Sequence, residues 1–167
     1  MSPAGCSRDE LAAWLRLLET PDVGLASARR LLAAFGSPQA VFDAPSAAWR
    51  ELLGAAATQA LGQPPDTLPA LVEATWQWLQ DGADRQVLTL GDPGYPAAWL
   101  QTADPPLLVY AMGRTALLAA PCIAVVGSRN PTPQGRENAK AFAAEFSRAG
   151  LTVVSGLALG IDGAAHE

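Results

Sequence analysis

Two short apolar runs, each ending in a glycine-bearing turn and separated by one helix-length segment, limit what this chain can fold into more than any other feature. The first, Cys122 to Val126, leads into Gly127-Ser128-Arg129-Asn130, and the second, Leu151 to Val154, leads into Ser155-Gly156-Leu157-Ala158-Leu159-Gly160. Cys122 to Val126 is rich in β-branched residues and has no polar alternation, the pattern of a parallel strand covered on both faces and not of an exposed hairpin strand. Between the runs, Thr132 offers an N-cap and Pro133 a first helical residue. Ala139, Phe142, Ala143 and Phe146 then recur on one face until Gly150 stops the helix. A strand, a helix of this length and a returning parallel strand form one right-handed βαβ unit.

Both loops of such a unit leave the carboxyl ends of neighbouring strands, at the crevice where open α/β sheets bind ligands. Gly127 lets backbone approach a ligand closely, and the following helix points unpaired N–H groups and its positive dipole end at the same spot. The expected guest is an anion. Arg129 adds a planar fork of donors suited to phosphate, and Ser128 and Ser155 add hydroxyls. The plainer reading is that the glycines only permit tight turns and Arg129 is solvated. A P-loop would need Lys and then Ser or Thr after its second Gly, but Gly135 is followed by Arg136-Glu137. A dinucleotide fingerprint would need G-x-G-x-x-G and an acidic residue ending the second strand, where Ser155 stands instead.

Upstream the chain reads as helical. Ser7-Arg8-Asp9-Glu10 is a capping box, followed by Leu11, Trp14, Leu15 and Leu18 on one face. After Thr20-Pro21-Asp22-Val23-Gly24, a second helix carries Leu25, Ala28, Leu32 and Phe35 to Gly36, and Ser37-Pro38 starts a third through Val41 and Phe42. Leu52, Leu53 and Leu61 continue the apolar series, Gly62-Gln63-Pro64-Pro65 breaks it, and Leu68, Leu71, Val72, Thr75 and Leu79 mark a longer helix. Asp81-Gly82-Ala83-Asp84 reads as a linker, and Val87 to Leu90 and Leu107 to Tyr110 as strands that extend the parallel sheet, with a Pro-rich excursion between them. The domain expectation is therefore a helical domain over 1–81 and an α/β domain over 82–167.

No run approaches membrane-spanning length and no basic-then-apolar leader precedes the first helix, so the chain reads as cytoplasmic with no membrane partner. Cys6 and Cys122 fall in a tail and in a strand, a poor disulfide pairing, and no Cys/His cluster has metal spacing, so neither metal nor cofactor is expected. The net charge is −5, awkward for a nucleic-acid binder. It is uneven: residues 1–120 hold seven basic and twelve acidic groups, whereas residues 121–167 hold four of each. Binding at the loops must rest on local geometry.

The run Val125-Val126-Gly127-Ser128-Arg129, then Thr132 and Gly135, then Val153-Val154-Ser155-Gly156-Leu157-Ala158, Gly160-Ile161-Asp162 and Ala165-His166 resembles the DNA-processing protein A (DprA/Smf) family. Tyr95-Pro96, Leu100, Asp104-Pro105-Pro106, Leu108, Tyr110 and Gly113 match that family's lead-in, so the resemblance covers about half the chain in order and spacing. It implies a cytoplasmic protein that binds single-stranded DNA on an extended Rossmann-like fold, forms a homodimer when complete, helps load a RecA-type recombinase and turns over no substrate. The DNA-phosphate site it implies is Gly127, Ser128, Arg129, Asn130, Ser155 and Gly156, supported by Thr132, Gly160, Asp162 and His166. Two departures stand out. Gln134 replaces the usual aromatic between Thr132 and Gly135, and the chain stops at Glu167 where the family's sheet continues, so it reads as a fragment whose two strands cannot bury their own faces.

The first helix pair also resembles a helix-hairpin-helix or SAM-like domain, usual at the front of that family. Such a hairpin can offer backbone N–H groups to phosphate. Here Asp22 replaces the first Gly of the turn and would repel phosphate, although Arg29 and Arg30 lie one turn beyond, so packing or protein contact is favoured over DNA contact. Trp76, Trp78 and Trp99 could stack bases, but helical spacing and apolar neighbours favour core packing for Trp76 and Trp78. Ser155, Asp162 and His166 could form a Ser/His/Asp set, yet there is no nucleophile elbow, and Asp162 reads better as a brace for the loop. Two functions are thus carried forward. One is a single-stranded DNA-binding recombination mediator active in natural transformation. The other is a Rossmann-type nucleotide-binding enzyme such as a nucleoside-monophosphate phosphoribohydrolase, which opens with a similar Gly-Ser loop but lacks the Tyr95 to Gly113 block.

Overall fold

The computed structural model describes residues 6–167 and divides into two compact units, the first ending at Thr115 and the second covering Ala116–Glu167. In the first, α1 (Arg8–Glu19) starts where Ser7 Oγ accepts the Glu10 N–H at 3.1 Å, the Ser half of the expected capping box. Asp9 and Glu10 place negative charge on that first turn, where the helix dipole favours it. α1 is packed on two sides, which is why Leu17 is fully buried and not only the stripe of Leu11, Trp14 and Leu15. Leu11 and Leu15 meet Val72 and Leu79 of α6 (Leu68–Gln80), whereas Trp14 and Leu17 join the core formed by the intervening short helices.

Those helices are α2 (Leu25–Phe35), α3 (Pro38–Asp43), α4 (Ser46–Leu53) and α5 (Ala55–Leu61). Gly36 ends α2 at φ 88°, and Ser37 Oγ accepts the Ala40 N–H at 3.2 Å to begin α3, with Pro38 at its first position. Trp49, 6% exposed, fixes α4 on α3 by donating its indole N–H to the Val41 carbonyl at 2.7 Å.

The strands β1 (Arg85–Thr89) and β2 (Leu108–Met112) do not extend the parallel sheet as the sequence suggested. They pair with each other, antiparallel, with Val87 opposite Tyr110. Their inner residues Val87 and Leu108 join the α1–α6 cluster, and Tyr110 reaches Thr75 of α6, hydroxyl to hydroxyl, at 2.8 Å. The Pro-rich excursion between them turns the chain back, which is what an antiparallel partner needs. Its Tyr95 is buried, donates to the Pro106 carbonyl at 2.7 Å and meets Trp99 edge to face. Compactness therefore groups residues 82–115 with the helices, although the sequence placed them with the α/β domain.

The second unit is the βαβ unit: β3 (Cys122–Ala124), α7 (Pro133–Arg148), β4 (Thr152–Val154) and a short α8 (Ile161–Ala164). β3 and β4 are parallel neighbours with Ile123 opposite Val153. Thr132 Oγ1 accepts the Gly135 N–H at 3.1 Å and Gly150 closes α7 at φ 84°, as the sequence indicated. Burial on both sheet faces does not follow. Cys122 and Ala124 are exposed, as are Val126 (67%) and Phe142 (60%), and of α7 only Ala139 and Ala143 are buried. A sheet of two strands with one long helix has too little apolar partner surface to cover these groups.

Candidate functional site

The two loops at the carboxyl ends of β3 and β4 are in direct contact. Ile161 donates its N–H to the Ser128 carbonyl at 3.1 Å. A side-chain carbon at Gly160, whose φ is 95°, would lie 2.2 Å from that same oxygen, and one at Gly127 would lie 2.8 Å from Ile161 Cγ1. Glycine at both positions is thus required by the approach of one loop to the other.

Asp162 joins them chemically. One carboxylate oxygen accepts the Gly127 N–H at 3.1 Å and the other accepts the Gly156 N–H at 3.1 Å. Its role as a brace, expected from sequence, is realised, with a consequence the sequence did not disclose. The two glycine amides read as phosphate donors are already engaged, so Gly127 and Gly156 line the site without offering those N–H groups to it.

The remaining polar groups sort by their partners. Ser128 Oγ accepts the Asn130 N–H at 3.1 Å, which shapes the turn. Ser155 Oγ accepts the Leu157 N–H at 3.0 Å and lies 2.8 Å from His166 Nε2, so a Ser–His pair exists. Asp162 faces the amides, and no Asp162–His166 hydrogen bond completes a triad among the described residues. Arg136 and Lys140 of α7 both pair with Glu167, at 2.7 and 2.5 Å. Those bonds and the two positive charges hold the Glu167 carboxyl below its ordinary range, and Glu167 in turn raises Lys140. Arg129 differs from these cations: it is exposed and has neither a hydrogen bond nor an ion pair among the described residues.

Sequence reasoning missed the apolar lip beside Arg129. Leu157 (73% exposed, φ 51°) and Leu159 (82% exposed) stand out from the second loop. The available signal was two leucines alternating with small residues between glycines, where no helix or strand period could bury them. Elsewhere, Arg29 is not free for phosphate, because it holds Asp104 and the Pro105 carbonyl. Trp76 and Trp78 pack against the α1–α6 cluster. Among the described residues no His, Cys, Asp and Glu group is placed to hold a metal, and no helix is long and apolar enough to cross a membrane.

Comparison with known proteins gives a consistent result. The family model for DNA recombination-mediator protein A matches residues 86–167, and that for the DprA-like N-terminal HHH domain matches residues 8–60. The DNA processing protein DprA of Bacillus subtilis is 43% identical over 70 residues, 41% of this chain and 24% of that protein. Protein Smf of Synechocystis sp. is 34% identical over 98 residues, 55% of this chain and 25% of that protein. The X-ray structure of DNA processing protein A from Streptococcus pneumoniae superposes with a TM-score of 0.67 at 22% identity, covering 96% of this chain and 52% of that one. That match shows a shared fold, a helical front followed by a small parallel sheet. The matched segments are about a quarter of the length of these curated relatives.

Proposed function

The chain belongs to the DNA recombination-mediator protein A family, the DprA/Smf proteins, and from that premise we propose that its second unit carries part of a single-stranded DNA-binding surface. The observation that carries the reading is Arg129, an exposed guanidinium with no hydrogen-bond or ion-pair partner among the described residues, on a loop locked against the loop that follows β4. A planar fork held at one place suits successive backbone phosphates and reads no bases. Ser128, one residue before Arg129, adds a hydroxyl, His166 pairs with Ser155 of the second loop, and Leu157 and Leu159 offer apolar contact to sugars or base faces. With a net charge of −5, the long-range field does not attract DNA, so affinity comes from these local contacts.

In the longer protein this surface serves DNA processing and recombination, including natural transformation. A RecA-type recombinase is its partner and a homodimer its working form, in the cytoplasm and without turnover of a substrate. The helical domain, taken as residues 1–81, contributes packing or protein contact, and residues 82–167 form the start of the Rossmann-like DNA-binding domain.

The test is fluorescence anisotropy of labelled oligo-dT in rising salt, on this chain and on the complete protein, with Arg129→Ala beside the wild type. Losing one phosphate contact should weaken binding for every sequence and reduce the salt slope by about one. Unchanged affinity and slope would remove Arg129 from the surface.

A further inference from the structure

Asp162 is the one charged side chain found buried among the described residues, at 6% exposure, and no cation pairs with it. Its carboxylate instead takes one backbone N–H from each of the two loops. In an open α/β sheet, backbone amides at the carboxyl ends of adjacent parallel strands are where a nucleotide's phosphate is received. Here a carboxylate of the protein occupies that place. We propose that Asp162 is a resident anion, a specificity-determining and positioning residue that refuses free mononucleotides and inorganic phosphate. By holding the loops together it leaves Ser128 and Arg129 facing outward for a continuous phosphate backbone.

The packing leaves no room for both anions. A carbon added at Gly156 would meet Asp162 Oδ2 at 3.3 Å, and one at Gly127 would strike Ile161 at 2.8 Å, so there is no gap between carboxylate and loops for a phosphate group. Swinging Asp162 aside would break its bonds to the Gly127 and Gly156 amides together. Displacing it would strand a buried charge, and a phosphate beside it would meet like-charge repulsion. The inference rests on the reading that these loops face single-stranded DNA, but it makes a separate prediction about small anions.

The experiment is a set of ¹H–¹⁵N titrations of the labelled chain with AMP, with inorganic phosphate and with oligo-dT, repeated on Asp162→Ala. In the wild type, AMP and phosphate should leave the Gly127 and Gly156 amide signals in place. Ala removes the carboxylate and both of its acceptors, which frees the two N–H groups and the space before them, so the variant should bind AMP about tenfold or more tightly than the wild type, the equivalent of one charge-assisted hydrogen bond. Such a gain cannot come from simple loss of structure. A saturable shift of either glycine amide by AMP in the wild type would overturn the proposal, as would a folded Asp162→Ala with unchanged AMP affinity. If that variant does not fold, the wild-type titration still decides. Oligo-dT judges the underlying reading separately. Movement of Ser128, Arg129 and Asn130 without the two glycines is expected, and an oligonucleotide that moves none of them removes the DNA surface whatever the AMP result.

Discussion

At Gly160 the backbone has φ 95° and ψ −124°, a region that side-chain-bearing residues rarely enter. Gly160→Ala should cost about 2 kcal/mol from backbone conformation alone, before any movement of the Ser128 carbonyl lying where the new carbon would sit. Urea unfolding reads this directly, and a midpoint equal to the wild type would show that the loops do not approach as described. Burial, reinforced by the Glu10 and Asp92 carboxylates, pushes the Cys6 thiol up to about 12, whereas Cys122 is exposed. Alkylation at pH 8 followed by peptide mass spectrometry should therefore label Cys122 well before Cys6. Because the folded thiol holds its proton more tightly than an ordinary cysteine, the stability this contributes is complete below the ordinary thiol range and is lost as pH rises toward 12. Cys6 read as a tail residue from sequence because its neighbours, Glu10 one helical turn on and Asp92 from a distant loop, are close only in the fold.

Elements follow the sequence closely where their signals are local. Thr132 caps α7 as its Thr-Pro start implied, so Thr132→Ala should destabilise the second unit by about 1 kcal/mol and raise amide exchange in the first turn after Pro133. Exchange unchanged there would mean the cap contributes nothing. The pairing of β1 and β2 was not legible. Strand propensity locates each run but is silent on its partner, and the choice was made by α6, which offers Thr75 to Tyr110 and an apolar face to Val87 and Leu108. Removing that hydroxyl contact in Tyr110→Phe should cost about 1 kcal/mol, seen as a lower unfolding midpoint of the first unit. The turn before α2 shows the same mixture. Its sequence placed a hairpin at Asp22, and the structure holds Asp22 at φ 61°, the left-handed conformation for which the family's glycine is suited.

For the molecule as a whole, charge and apolar surface are unevenly distributed. The acidity lies in the front of the chain, while the second unit is balanced in charge and exposes Val126, Phe142, Val154, Leu157 and Leu159. Apolar area of this kind seeks cover. Sedimentation velocity over rising concentration should show self-association that added salt does not weaken, since screening acts on charges and not on apolar contact. A monodisperse monomer at high concentration would show this wrong.

Local signals in the chain specified most of its helices and strands, where α7 begins and ends, and that two glycine loops follow neighbouring parallel strands. These depend on caps, periodicity and backbone freedom acting within a few residues. Packing alone settled which partner each group takes: β1 with β2, Arg29 with Asp104, and above all the Gly127 amide with a carboxylate 35 residues away. The physical reason is that a backbone donor is satisfied by whichever acceptor the packed chain brings within about 3 Å, and local pattern carries no record of that acceptor.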